Sequence, residues 1–427
     1  MSCFSLSKRH ILLLACYRLS SSLRIAWAMQ SDTPKPMDTS KSFCPNPTCC
    51  ARGQLGQGNI AIHDRKRQRY RCKVCKHTFS ARQGTMFEGL RKPLELIVIV
   101  VTLLSYGCPI QAIVHAYGLD ERTVADWRDR AGKHCQHVHQ RLVEAGQLDL
   151  VHVQADEIRV KGRKMIAWMG LAMMISTRLW LAGTMSLTRD KTLADRLMRQ
   201  VRACSQPLRA LLVCTDGWNA YPGSIMRAFR EKIKKTAGCG RACLRIWPDL
   251  CIATVIKRTE KKRVVEVTRR MTRGTLEQAT ILLQASLGGM VLNTAFIERL
   301  NGTMRERLAA LTRKCRHAAC RLAGLEAGMY LIGSTYNFCW PHQELSKPTH
   351  LGYPTTPAMA AGLTDHVWSI WELLSYRIAP APWIAPKRRG RPKKLVEQTA
   401  TITKRKKAPS RLRPLLRLRQ GRLCSTS

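Results

Sequence analysis

From Leu148 onward, apolar residues come in short runs, LDLVHVQADEIRV, MIAWMGLAMMIS, LWLAGTMSL and ALLVCTDG, interleaved with TLADRLMRQVRAC and TLEQATILLQASL. Runs of the first kind, bounded by Gly, Asp or Arg, predict strands, and the apolar spacing of the second kind predicts amphipathic helices. The alternation predicts an α/β or α+β domain over residues 148–345. Upstream, 91–147 turns helical, with a buried-looking LELIVIVVTLL followed by PIQAIVHAYGLDERTVADWRDRAG. Residues 346–376 read as a C-terminal helical extension. The leader, 1–42, is rich in Ser, Thr, Pro and Lys, and the tail, 377–427, is basic and Pro-punctuated with Glu397 as its only acid. Neither composition builds a core.

Charge changes the picture more than size does. The chain has 427 residues, enough for two or three domains, and 72 Lys and Arg against 28 Asp and Glu leave a formal net charge of +44. A phosphate backbone is the commonest large polyanion that can balance such an excess, so double-stranded DNA is the expected partner. The 18 cysteines are mostly scattered singly through apolar segments. That distribution fits a reducing compartment, and with DNA as the expected partner the protein is expected to be cytoplasmic and nucleoid-associated. The early apolar run ILLLAC is ended by Tyr17 and Arg18 too soon for a signal peptide. LIVIVVTLL and MIAWMGLAMMIST are shorter than the roughly 20 residues of a spanning helix, and no membrane partner is expected.

Four groups of residues carry chemistry. In FCPNPTCC…RYRCKVCKHTF, Cys44 and Cys49 (or its neighbour Cys50) face the clean C-x-x-C of Cys72 and Cys75 across a loop. Two thiolate pairs on two turns bring four sulfurs to one tetrahedral ion, so 43–90 is expected to be a zinc ribbon holding structural Zn²⁺. No thioredoxin-like βαβ pattern follows, which argues against a redox pair. In GCPIQAIVHAYGLDERTVADWRDRAG, a helix from Ile110 to Ala116, a turn at Tyr117-Gly118-Leu119 and a helix from Glu121 to Ala131 fit a helix-turn-helix. Ile113, Leu119, Val124 and Trp127 have core spacing, which leaves Arg122, Thr123, Arg128 and Arg130 for DNA.

The third group is acidic. Asp156 lies near the end of the strand VHVQADEIRVKG, Asp216 stands where ALLVCTDG breaks into Gly217, and Glu298 sits in the cationic segment NTAFIERLNGTMRERL. On a helix, Glu298, Asn301 and Arg305 share one face, while Leu300, Met304 and Leu308 form an apolar stripe. Carboxylate oxygens from a sheet and a helix suit hard cations, Mg²⁺ or Mn²⁺, and two such ions stabilise both oxygens of an in-line phosphoryl displacement. Glu298 can stand among basic residues because the metals need carboxylates and the surrounding DNA needs cations. The fourth group, KRRGRPKK, holds Arg389, Gly390, Arg391 and Pro392 in an AT-hook-like order suited to a narrow minor groove.

Together these residues resemble the DDE transposases of the insertion-sequence-one type. RYRCKVCKHTF, the helix-turn-helix, Asp156, Asp216, the Glu298 block and YNFCWPHQEL carry the likeness, over about residues 43 to 375. The resemblance implies an RNase H-like domain with a mixed five-stranded sheet flanked by helices. Asp156 would lie on its first strand, Asp216 after its fourth, and Glu298 on a helix. It implies binding of terminal inverted repeats, metal-dependent cleavage and strand transfer, and at least a homodimer on DNA. It also gives Arg305, with Asn301 beside it, a DNA contact. Within 221–290, GCGRACLRIWPDLC is expected to be a loop. A DNA-binding regulator on an inactive scaffold is the competing class, and a nuclease for RNA–DNA hybrids suits the ribbon and helix-turn-helix less well.

Overall fold

The computed structural model describes residues 37–233, 242–261, 263–311, 320–348, 350 and 352–385. Most of the leader and the tail from residue 386, with Arg389, Gly390, Arg391 and Pro392, lie outside them. A small antiparallel sheet comes first: β1 (Ile60–Asp64), β2 (Arg69–Cys72) and β3 (Thr78–Ser80), in that order. Its core is Cys44, Cys49, Ile60, Tyr70, Cys72 and Phe79. The unit takes in residues before Phe43, since Met37 packs on this core and the Tyr70 hydroxyl donates to the Asp38 carbonyl at 3.0 Å.

Three helices follow, α1 (Leu94–Ser105), α2 (Ile110–Tyr117) and α3 (Glu121–His139), the last running into a π-turn at Gln140–Glu144. Gly118 closes α2 in the left-handed region, φ 59°, where the absence of a Cβ removes the strain. Asp120 then caps α3, accepting the N–H groups of Arg122 and Thr123 at 2.8 and 3.3 Å. The expected helix–turn–helix path is present, but α3 runs two turns past Ala131 because Cys135 and Val138 continue the buried stripe of Val124, Trp127 and Ala131.

The α/β region contains β4 (Val151–Lys161), β5 (Ile166–Met174), β6 (Trp180–Ser186), α4 (Lys191–Cys204), β7 (Leu211–Asp216) and α5 (Ala220–Ala228). It continues through β8 (Arg230–Ile233), β9 (Cys243–Ile246), β10 (Leu250–Glu260), β11 (Arg263–Arg273), α6 (Leu276–Ala285), α7 (Ala295–Arg307) and α8 (Leu322–Phe338). Two short helices end it, α9 (Pro357–Ala360) and α10 (Ile370–Ser375). The mixed sheet has six strands, not the expected five, in the order β11-β10-β7-β4-β5-β6. β4, β7 and β10 are mutually parallel; β5, β6 and β11 are antiparallel to their neighbours. Part of the expected loop in 221–290 is strand: β9 pairs with β8.

One hydrophobic core runs from Met86 through α1–α3 and the sheet to Leu374, so the helical segment and the sheet are packed as one body. Helix α8, buried at every position from Gly328 to Phe338, lies between α3 and β6. Close approach explains two of its contacts. A Cβ on Gly132 of α3 would stand 2.2 Å from the Ala327 carbonyl oxygen, and one on Gly333 would stand 2.3 Å from the Trp180 ring. Asn337 then locks α8 to the edge strand, accepting from the Trp180 N–H and donating to its carbonyl, both at 2.9 Å. Among the described residues, no helix is long and apolar enough to cross a membrane.

Gly132→Ala is expected to destabilise the fold by about 1–3 kcal/mol through overpacking. Gly302→Ala, on the exposed side of α7 with nothing within 4 Å of its Cβ, should leave stability unchanged or raise it. Denaturation midpoints of the two variants check this; equal midpoints would refute the close α3–α8 packing.

Candidate functional site

The parallel register of β4 and β7 runs from Val151 opposite Leu211 to Ala155 opposite Thr215. β7 ends at Asp216, whereas β4 continues to Lys161 paired only with β5. Asp156 is thus the first β4 residue with no partner on the β7 side, and it lies beside Asp216 in the middle of its strand, not near its end. Alternation puts His152, Gln154 and Asp156 on one face and Glu157 on the other.

Helices α6 and α7 cover the first face. His152 Nδ1 is 3.1 Å from the Ser286 hydroxyl. Gln154 Oε1 accepts the N–H groups of Phe296 and Ile297, each at 3.1 Å, and its Nε2 donates to the Asn293 carbonyl at 2.8 Å. The residue at the helix boundary, Thr294, makes no side-chain cap bond, so a sheet residue satisfies the open end of α7. Farther along, Asn301 Nδ2 donates to Asp156 Oδ2 at 2.7 Å. Asn301 is 2% exposed and, contrary to expectation, faces Asp156 and not a DNA surface. These bonds hold the first turn of α7, with Glu298, over a cleft of about 540 Å³ that Asp216, Arg189, Trp218 and Lys257 also line.

The carboxylates closest together are not quite those expected. Asp156, Glu157 and Asp216 can each place an oxygen within 4.8 Å of the others. Glu298 reaches the cleft from α7, where it accepts from the Thr294 hydroxyl at 2.7 Å and pairs with Lys257 of β10. Glu157 points to the opposite face yet joins the cluster because β4 has no neighbour there. It accepts from the Tyr221 hydroxyl at 3.0 Å and pairs with Arg189, which also lies 3.6 Å from Asp216. The Arg189 guanidinium stacks between Trp168 and Trp218, at 5.2 and 4.7 Å from their centroids.

Burial, then the charges of Glu157, Asp216 and Glu298, push Asp156 up to about 7 against the opposing Glu157 N–H bond. Burial also raises Glu157, with Asp216 adding to it, and raises Asp216. Crowded carboxylates that raise one another's proton affinity, with only oxygen donors at hand, suit a hard cation such as Mg²⁺ or Mn²⁺. Lys257 and Arg189 supply positive charge to the same oxygens. Asp156, Glu157 and Asp216 form the group that could hold such an ion, and Glu298 stands across the cleft from Asp216.

The cysteine site has tetrahedral dimensions. Cys44, Cys49, Cys72 and Cys75 form one cluster, with Sγ separations of 3.6 Å for Cys44–Cys75 and 3.9 Å for Cys49–Cys72. A zinc ion with bonds of about 2.3 Å sets tetrahedral sulfurs roughly 3.8 Å apart, so the four thiols fit it. Cys50 is exposed and outside the cluster. Burial pushes Cys44 and Cys49 up, while Cys75, also raised by burial, is brought down to about 7 by bonds from the His77 N–H, Asn46 and its cysteine neighbours.

The expected DNA-facing residues divide. Arg122 and Arg305 are exposed, and Thr123 is partly so. Arg128 is held by Asp129 at 2.6 Å against Gly324, and Arg130 pairs with Asp126 at 3.2 Å while donating to the Glu88 carbonyl. A feature the sequence did not announce is the β10–β11 ribbon. Pairing with β7 ends at Val255, and from Ile256 the two strands pair only with each other, exposing Arg258, Lys261 and Arg263 beside the cleft.

No protein-family model matches the chain, and none of the curated proteins matches it.

Two measurements check the site. Because the folded Asp156 titrates near 7, above its unfolded value, its destabilisation is full above pH 7 and disappears as pH falls below about 4. Asp156→Asn should therefore stabilise the metal-free protein by on the order of 1–3 kcal/mol at pH 8 and give no such gain at pH 4; a gain independent of pH would contradict this. Cys72→Ser should abolish bound zinc in metal analysis and open residues 38–80 to hydrogen exchange, since metal binding supplies folding energy to so small a core.

Proposed function

We propose that the chain is a DDE transposase of the insertion-sequence-one type, cutting and joining DNA at terminal inverted repeats. The observation that carries this reading is the meeting of Asp156 and Asp216 on adjacent parallel strands, next to a cleft that Asp216 and Glu298 of a helix line together, with a basic ribbon beside it. The strand order β6-β5-β4-β7-β10, to which β11 is appended, supports an RNase H-like domain with Asp156 on its first strand and Asp216 ending its fourth. The Cys₄ unit and helix-turn-helix path then serve to bind duplex ends, and the exposed Arg122 and Arg305 fit that role. Joining two ends calls for a homodimer or larger assembly on DNA, in the cytoplasm at the nucleoid.

Two divalent ions held by Asp156, Asp216 and Glu298 would supply Lewis-acid stabilisation of charge on the phosphoryl oxygens. The chain's own residues prepare that site. Asn301 fixes the Asp156 carboxylate, Gln154 fixes the helix that presents Glu298, and Glu157 with Tyr221 holds Arg189 next to Asp216. Lys257 and Arg189 neutralise the acids until other cations replace them there. The neighbouring ribbon cations hold the phosphate backbone against the cleft.

A DNA-binding regulator on an inactive scaffold is the second reading. It is favoured by one observation: Glu298 and Asp216 already have cationic partners in Lys257 and Arg189. Single-strand nicking of a labelled duplex carrying the element's own terminus, with Mg²⁺ or Mn²⁺, separates the two. Asp156→Asn, Asp216→Asn and Glu298→Gln should each lower nicking by at least about 10³-fold while binding is nearly unchanged. Binding without nicking by the unmodified protein would favour the regulator.

A further inference from the structure

A second cavity, of about 350 Å³, shares helix α7 with the acidic cleft but no lining residue. Its deepest charge is Arg178, in the turn between β5 and β6. That residue is 8% exposed and has a left-handed backbone, φ 59°, a conformation a non-glycine residue holds only where its surroundings demand it. The guanidinium donates to the Ile175 carbonyl and lies 4.0 Å from the centroid of the Phe296 ring. Tyr336, whose hydroxyl donates to the Arg178 carbonyl at 3.1 Å, forms another wall.

Arg299 of α7 lines the same cavity, and among the described residues neither it nor Arg178 is in an ion pair. Glu344, also in the lining, is occupied by Lys347 at 2.7 Å. His342 is kept neutral near pH 7, burial and then the Arg178 and Arg299 charges bringing it to about 4, and among the described residues its buried Nδ1 has no hydrogen-bond partner.

Arg178 has no carboxylate within ion-pair distance, and the one carboxylate of the lining, Glu344, acts on it only from farther off while paired with Lys347, so a further anion would replace hydration that its burial removed. Two guanidinia lining one cavity suit the oxygens of a phosphate. A phosphate alone would leave the aromatic part of the cavity empty, whereas a flat base can stack on Phe296 and Tyr336. We infer that this cavity seats one nucleotide, its phosphate between Arg178 and Arg299 and its base against Phe296 and Tyr336, with His342 Nδ1 free to bond the base edge. Arg299 directly follows Glu298, so the nucleotide is one extruded from the DNA strand engaged at the acidic cleft; this assignment to DNA rests on the function proposed above.

The test is calorimetric titration of the full-length protein, at moderate salt and without divalent metal, with deoxyadenosine monophosphate, deoxyadenosine and inorganic phosphate. The monophosphate should bind at one site, more tightly than either fragment, and Arg299→Gln should weaken it by about tenfold or more. Arg299 is exposed, so this variant should keep its denaturation midpoint; Phe296→Leu, which retains apolar volume, should narrow the gap between monophosphate and phosphate. Equal binding by the parent and Arg299→Gln, or no one-site binding, overturns the cavity assignment whatever the outcome for nicking. The source of the nucleotide is read with 2-aminopurine placed at the terminus of a duplex. A rise in fluorescence on binding that Arg299→Gln removes supports an extruded base. Monophosphate binding with no rise supports the nucleotide seat and overturns its assignment to the strand.

Discussion

The parallel pairing of β4 with β7 stops at Ala155 and Thr215, and the rest of the site depends on that end. Had the ladder continued, Asp156 would be enclosed between two strands and Glu157 would belong only to the far face. Because β7 turns away after Asp216, carboxylates from both faces of β4 reach one opening. The same strand supplies Gln154, whose amide oxygen binds the first turn of α7. Strand and helix are thus coupled by a polar side chain buried in the sheet, and Glu298 is delivered to the cleft by that coupling.

Electrostatics explains why acids persist in so basic a chain. At a net charge of +44, isolated surface carboxylates would pair with nearby cations, and Glu231 with Arg202 or Asp149 with Arg209 do so. In the cleft the acids outnumber their partners; burial raises the proton affinity of Asp156, Glu157 and Asp216, and neighbouring carboxylates add to it at Asp156 and Glu157. Lys257 and Arg189 offset only part of this. In the neighbouring cavity the balance is reversed, with two guanidinia, Arg178 and Arg299, against the single carboxylate of Glu344. The two sites flank one helix, α7, and are opposite in their balance of charge.

Several elements were legible because local pattern and burial agree in them. The apolar runs of β4 to β7 and the amphipathic α4 and α6 stand where periodicity puts them, and the turn read at Tyr117-Gly118-Leu119 falls at Gly118, with Asp120 capping the next helix. The C-x-x-C pair and its partner segment were legible as well, and packing decided between Cys49 and Cys50 by burying one and exposing the other. The β10–β11 ribbon escaped because its outer half is exposed on both faces, so no core imposes alternation on it. Glu157 escaped because adjacent strand residues point to opposite faces, a rule that fails to separate them only where a strand edge is open. Arg178 carried no sequence signal: a cation in a turn ordinarily reads as solvated, and its burial comes from α7 and α8 closing over it.

By itself the sequence determined the large positive charge, the two thiol pairs, the α/β alternation and the three acidic positions Asp156, Asp216 and Glu298, since these follow from residue type and short-range spacing. The tertiary structure decided which groups meet. It turned Asn301 inward to Asp156, engaged Arg128 and Arg130 with neighbours, added Glu157 and Arg189 to the acids, and left Arg178 buried beside Arg299. Such choices depend on where strands end and how closely helices approach across long sequence separations, quantities that no local periodicity encodes.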